Sequence, residues 1–368
     1  MKGRQTRHII RRREVTTAST LYDLPIIDAH THTSGPDADG TPAEAVRCMD
    51  QCGVEMAFMF APLLDVHGLQ LKVEHYDDIR RHNDYISHFC AEAPERLLAF
   101  AVLNPNPCLA NGDKEHAVQL MIDEARRCYR ELGIRGVKLV PDRWRVNDQH
   151  IQPFLNELAT LGMYVAFHSG IFLDERSSDY CRPASYEGVH LIPGFHGHLA
   201  HLGWPWVDEC IATLAMETFH PQSDRKDHWQ LKVDLSFGCP PDWQVDSFRK
   251  ALNMLPHDML MYASDVFWPC DRQRYMEEFV YPQLATFEAA ATLARDAGDP
   301  GSHERVLLRR AVFHDNALNH WQHATKGRPQ QPHRMKIVPG SFHTRPRRME
   351  ASQRMRSPGI NQPKPKMT

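Results

Sequence analysis

No apolar run in this sequence approaches the ~20 residues that cross a bilayer, so no membrane-spanning helix is expected. The N-terminus is basic, with Lys2, Arg4, Arg7, Arg11, Arg12 and Arg13, but no apolar core follows it, so it does not read as a secretory leader. No C-x-x-C pair occurs among the nine scattered cysteines. They are expected to be mostly buried thiols in a reducing, cytoplasmic setting, with Cys48 and Cys52 packed at i, i+4 on a helix. No strong charge of one sign is present either. The net charge of −3 points to no nucleic-acid or membrane partner and leaves a small molecule as the expected ligand.

The charge is unevenly spread. Residues 1–20 are a basic extension without a hydrophobic period. Residues 325–368 are rich in Pro, Gln, Arg and Lys, with Glu350 the single acid after Lys326. Both stretches hold too little apolar surface to order themselves and are expected to be disordered tails. The body, residues 21–324, has the size of one large domain.

In that body, eight short apolar runs alternate with helical patterns. The runs are Pro25–His30, Met56–Ala61, Leu97–Leu103, Ile134–Val140, Met163–His168, His196–His201, Leu231–Phe237 and Leu260–Asp265. Continuous apolar runs suit parallel strands covered on both faces. Thr41-Pro42-Ala43-Glu44 is a capping box with Pro at the first helical position, and Gly53 is placed to end that helix. Residues 115–132 and 147–161 repeat apolar positions three and four apart, as in Ile151, Phe154, Leu155 and Leu158. Eight βα units of 30–40 residues predict an α/β fold, a (β/α)₈ TIM barrel. An open doubly wound sheet fits less well, because no Gly-rich phosphate loop follows the first strand.

Barrel chemistry belongs at the C-terminal ends of the strands. There the sequence offers Asp28, His30 and His32 after the first run, His168 after the fifth, His201 after the sixth and Asp265 after the eighth. In an extended segment, alternate residues point the same way, so His30 and His32 can converge on one ion with Asp28 below them. Asp28 is expected to orient the two histidines rather than to ligate. Imidazoles with a carboxylate suit Zn²⁺, and also Mn²⁺, Fe²⁺ or Co²⁺.

Ile27-Asp28-Ala29-His30-Thr31-His32, Gly136-Val137-Lys138-Leu139, Phe167-His168-Ser169-Gly170, Ala200-His201-Leu202-Gly203 and Ala263-Ser264-Asp265 together resemble the amidohydrolase superfamily. The likeness is greatest to its amidohydrolase-2 branch, which includes aminocarboxymuconate-semialdehyde decarboxylase-like enzymes. It extends over about residues 22–322 and includes an Asn316-Ala317 pair in a last helix. The resemblance implies a distorted barrel with a mononuclear site, usually Zn²⁺. It implies His30, His32, His168 and Asp265 as metal ligands, with Asp265 and His201 in catalysis. Relatives are often dimers, which makes a homodimer the expected assembly.

Hydrolysis of a carbonyl compound such as an amide or lactone is the leading expectation. Nonoxidative decarboxylation is the runner-up, and a barrel that has lost catalysis is a third reading, opposed by the intact ligand set. Lys138, at the end of the fourth strand, is open as a base, a substrate contact or an ion-pair partner of Asp28. Arg182 is a candidate fork for a substrate carboxylate. Trp204 and Trp268 are candidate pocket walls. Elemental analysis of purified protein should find about one transition metal per chain. Full activity in metal-free protein, indifferent to chelators, would remove the core of this reading.

Overall fold

The first strand is apolar or small at nearly every position before its histidines, and all eight of its residues, Ile26–Thr33 (β1), are buried. The computed structural model describes residues 24–33, 35, 40–62, 76–172, 176–219, 230–236 and 238–325. The tails expected to be disordered lie outside the described residues, apart from Thr325 at the boundary, which ends the last helix.

Eight further strands follow: β2 (Val54–Phe60), β3 (Leu97–Leu103), β4 (Gly136–Leu139), β5 (Tyr164–Phe167), β6 (His196–Leu199), β7 (Leu231–Asp234), β8 (Leu260–Met261) and β9 (Val266–Trp268). All pair in parallel, in the order β8-β7-β6-β5-β4-β3-β2-β1-β9. The run expected as one eighth strand is divided. Its first part pairs with β7 and its second with β1. Between them, Tyr262 O accepts from Ala29 N (3.2 Å), and Asp265 N donates to His30 O (2.8 Å). One stretch of chain therefore joins both edges of the sheet and closes it into the (β/α)₈ barrel.

Helices α1 (Pro42–Cys52), α2 (Tyr76–Ala91), α3 (Lys114–Arg130), α4 (Gln152–Leu161), α5 (Val207–Phe219) and α6 (Pro241–Met254) alternate with the strands. The capping box forms as expected. Glu44 N donates to Thr41 Oγ1 (3.2 Å) and Thr41 N to Glu44 Oε2 (2.8 Å), while Gly53 takes the left-handed conformation, φ 71°. Cys48 and Cys52 pack with their sulfurs 3.9 Å apart. All nine cysteines are free thiols, seven of them buried. No helix among the described residues is long and apolar enough to cross a membrane.

After β9 come α7 (Arg272–Arg274), α8 (Tyr281–Leu293), α9 (His303–Arg310) and α10 (Asn316–Thr325). The last helix plugs the barrel floor. Asn316 Nδ2 donates to His257 O (2.9 Å) and Leu260 O (2.8 Å), both at the N-terminal end of β8. Ala317 and Trp321 pack into the interior among Ile27, Ala29, Phe58, Phe100 and Tyr164. The floor is thus filled by side chains, and the buried polar groups there, Lys232 and His320, are bonded to backbone carbonyls.

Gly197 lets β5 and β6 approach closely, since a Cβ there would lie 2.2 Å from Val165 O. Gly197→Ala should lower stability by roughly 1–3 kcal/mol through overpacking. Thermal denaturation reads this directly, and an unchanged melting temperature would show that the two strands can part freely.

Candidate metal centre

The site begins with an irregularity in β1. Its pairing with β2 shifts register between Asp28 and Thr31. Ile27 and Ala29 face the barrel interior. The bulge breaks the alternation, so His30 and then His32 follow Ala29 to the inner side. Thr31 turns outward, donating to Phe58 O (2.7 Å).

Two imidazoles then meet one carboxylate. Asp265 Oδ1 lies 3.1 Å from His30 Nε2 and 2.9 Å from His32 Nε2. Asp265 occupies the kink between β8 and β9 with φ 64°, a left-handed conformation that a non-glycine residue rarely adopts. The other nitrogen of His30, Nδ1, is 2.9 Å from Asp234 Oδ2 at the end of β7. Lys138 Nζ approaches His30 Nε2 at 3.2 Å. Nε2 thus faces both the Lys138 ammonium and the Asp265 carboxylate, while Nδ1 donates toward Asp234.

His201 follows β6 rather than ending it, in a left-handed turn with φ 59°. Its ring is 4.9 Å from that of His30 and 5.1 Å from that of His168. His168 lies one residue past β5 and stacks on Phe172 at 4.6 Å. Its Nε2 is buried without a hydrogen-bond partner, as is His32 Nδ1.

Burial sets the charges. It pushes His32 and His201 down to about 4 and His168 well below the usual imidazole range. Burial also opposes the charges of Asp234 and Asp265. The neighbouring histidines, His30 first, outweigh it and hold both carboxyls well below the usual range. Lys138 is lowered to about 8 by burial, against the pull of Asp234 and Asp265. Burial and Lys138 oppose a charge on His30, but Asp265 and Asp234 outweigh them and raise its pKa. His32, His168 and the two carboxylates are thus already in the forms that ligate a metal, and His30 would give up a proton on binding one.

Two sets of side chains hold their donor atoms within 4.8 Å of one another: His30, His32 and Asp265, and His30, His201 and Asp234. The first set fits a divalent transition metal on its chemistry, with two imidazole nitrogens converging on one carboxylate oxygen. The unpartnered Nε2 of His168 offers a further nitrogen beside it. His168 does not itself belong to either 4.8 Å set.

Several expectations are revised. Asp28 does not orient the imidazoles. It faces the other side of β1, accepting from Ser264 N (2.9 Å), His30 N (3.3 Å) and the Tyr275 hydroxyl (2.8 Å). Its carboxyl is raised to about 6, because burial outweighs those bonds. It therefore ties the backbone of β1 to the Asp265 kink. Lys138 meets His30 and the face of Phe60, not Asp28.

The guanidinium of Arg182 is forked onto Glu209, which also accepts Ala184 N at 2.9 Å. The fork expected for a substrate is taken by a helix carboxylate. Trp268 is fully buried against Tyr275 and is core, not pocket wall. Its neighbour Phe267 takes that place, exposed and stacked on His32 at 4.9 Å, in register with it across the pair β1–β9. Trp204 is half-buried and braces two loops through its backbone, donating to His201 O (3.0 Å) and accepting from Ile171 N (2.8 Å).

Asp234, His198 and Ser236 escaped the sequence reading. Asp234 had a signal: an acid closing the apolar run Leu231–Asp234, the same kind of mark that nominated Asp265. His198 Nε2 lies 3.4 Å from Asp234 Oδ2, and its Nδ1 is 3.0 Å from the Tyr164 hydroxyl.

The amidohydrolase model matches residues 27–321. The chain belongs to the amidohydrolase-2 family. No curated protein matches it. Among solved structures, it is similar to 5-carboxyvanillate decarboxylase from Sphingomonas paucimobilis, at 14% identity and TM-score 0.50, covering 81% of this chain and 99% of that one. A dihydroxybenzoic acid decarboxylase from Polaromonas, with bound manganese and the inhibitor 2-nitroresorcinol, gives 14% identity and TM-score 0.51, covering 81% and 97%. A probable 2-pyrone-4,6-dicarboxylic acid hydrolase from Acinetobacter baumannii gives 15% and 0.50, covering 81% and 99%. These likenesses establish the shared barrel of this amidohydrolase.

Asp234→Asn would withdraw the charge that holds His30. Partners of this kind change metal affinity by roughly 10–100-fold. Competition titration against a chromophoric chelator should show weakening in that range, and unaltered affinity would deny Asp234 this part.

Proposed function

We propose that this amidohydrolase is a metal-dependent hydrolase of a small carbonyl substrate, an amide, lactone or related compound. One divalent transition metal, Zn²⁺ foremost, would be held by His30, His32, His168 and Asp265. Such an ion supplies Lewis acidity toward water and toward a carbonyl oxygen.

The observation that carries this reading is the double reach of Asp265. Its side chain is 30% exposed, while those of His30 and His32 are 1% and 9% exposed. One carboxylate thus touches both ligand imidazoles and also meets solvent. Asp265 can take a proton from an attacking water and pass it to the leaving group. His201 borders the same space and handles a second proton. Lys138 is buried, and it acts as a fixed positive charge that stabilises anionic character as it develops. Phe267 offers a flat apolar wall beside His32.

That wall and that charge also suit a planar unsaturated carboxylate, which keeps nonoxidative decarboxylation as the second reading. The complete donor set disfavours a barrel without catalysis.

Asp265→Asn should reduce turnover by about 10²–10⁴-fold while leaving the circular-dichroism melting curve close to wild type. Full activity in this variant would reject its proton-transfer role. The reaction type is decided by a panel assayed side by side: lactones and amides for acid release, aromatic and unsaturated carboxylates for CO₂ release. Acid release supports the hydrolase, and CO₂ release alone overturns it.

A further inference from the structure

The hydrogen bonds around His201 determine which of its nitrogens carries the proton. Ser236 Oγ lies 2.8 Å from His201 Nδ1. The same hydroxyl oxygen is bonded to Asp234 Oδ1. That carboxylate oxygen also accepts from the backbone N–H groups of Ser236 (3.0 Å) and His201 (2.9 Å). Asp234 Oδ2 meanwhile faces His30 Nδ1 at 2.9 Å.

An ionised carboxylate only accepts, and a serine hydroxyl has one hydrogen to give. The Ser236 hydrogen is therefore committed to Asp234. Toward His201, Ser236 Oγ can act only as an acceptor, so His201 Nδ1 must bear a hydrogen. In a neutral imidazole, the second nitrogen then holds a lone pair. We infer that Ser236 is a positioning residue, fixing His201 as the Nδ1–H tautomer and making its Nε2 a proton acceptor.

This assigns a direction to His201. Its Nε2 is on the ring edge turned away from Ser236. It takes up a proton from an O–H or N–H group before it can give one. In its resting form it does not steady an oxyanion. Substrates that bring a hydroxyl or N–H donor to this position are favoured over analogues that lack one. The sense of the proton transfer rests on the hydrolase reading above, but the tautomer does not.

The test is heteronuclear NMR of the full chain, metal-loaded with diamagnetic Zn²⁺ and labelled with ¹⁵N,¹³C-histidine. His201→Asn identifies the signal by difference. Wild type should show His201 protonated at Nδ1. Ser236→Ala should shift it toward the Nε2–H form or a mixture, and Ser236→Thr should restore the wild-type pattern. On any substrate found active, Ser236→Ala should lose about 10–100-fold in kcat, with Ser236→Thr recovering most of it.

An Nε2–H tautomer in wild type, or an unchanged tautomer in Ser236→Ala, overturns the inference. Should Ser236→Ala fail to fold, the wild-type and Ser236→Thr spectra still decide it. Because the spectra need no turnover, an inert substrate panel would sink the hydrolase reading and leave this one standing.

Discussion

The carboxylate of Asp234 is the contact on which this site depends. It is fully buried at the end of β7 and serves partners from two strands, β1 and β6, the turn after β6 and its own following residue Ser236. Burying a charge is costly unless hydrogen bonds replace its water. Here they come from the His30 ring, the His201 and Ser236 backbone and the Ser236 hydroxyl, with the His198 ring close by. Each of these groups is held in place by satisfying that need. The ring orientation of His30, the turn that carries His201 and the tautomer of His201 all follow from one ionised side chain.

The second constraint is closure. A regular eighth strand could pair with β7 and β1 at once only by running straight between them. Instead, the chain pairs with one neighbour, kinks, and then pairs with the other. The kink puts Asp265 in a left-handed conformation, as the turn after β6 does for His201. Such conformations cost of order 1–3 kcal/mol and persist only where the surroundings fix them. At Asp265 the fixing contacts are its own N–H to His30 O and the Asp28 carboxylate bonded to Ser264 N. Asp28 therefore supports the site from outside the barrel wall, through backbone rather than imidazole.

Electrostatics completes the arrangement. Desolvation holds His32, His168 and His201 neutral, while the two carboxylates stay charged because the charge of His30 and hydrogen bonds from the neighbouring rings outweigh their burial. The plug of α10 fills the floor. A small set of polar groups thus sits at one open end of a packed cylinder, with Phe267 as the exposed aromatic beside it.

The sequence by itself determined the class of fold, the order of strands and helices, and which histidines and carboxylates stand at strand ends. Those properties live in periodicity, capping and residue type, all of which are local. The first capping box, the Gly53 stop and the apolar runs were legible for that reason. Only the tertiary structure decided which face each side chain takes. A one-residue bulge in β1 turned His30 and His32 to the inner side and left Asp28 on the outer one, and a split eighth strand exchanged Trp268 for Phe267 at the rim. Arg182 found Glu209 in a helix that sequence spacing could not bring to it. Asp234, Ser236 and His198 acquired meaning only when closure placed β7 beside β6 and opposite β1. Register and long-range pairing are relations between distant segments, set by the packing of the whole barrel, and no local pattern encodes them.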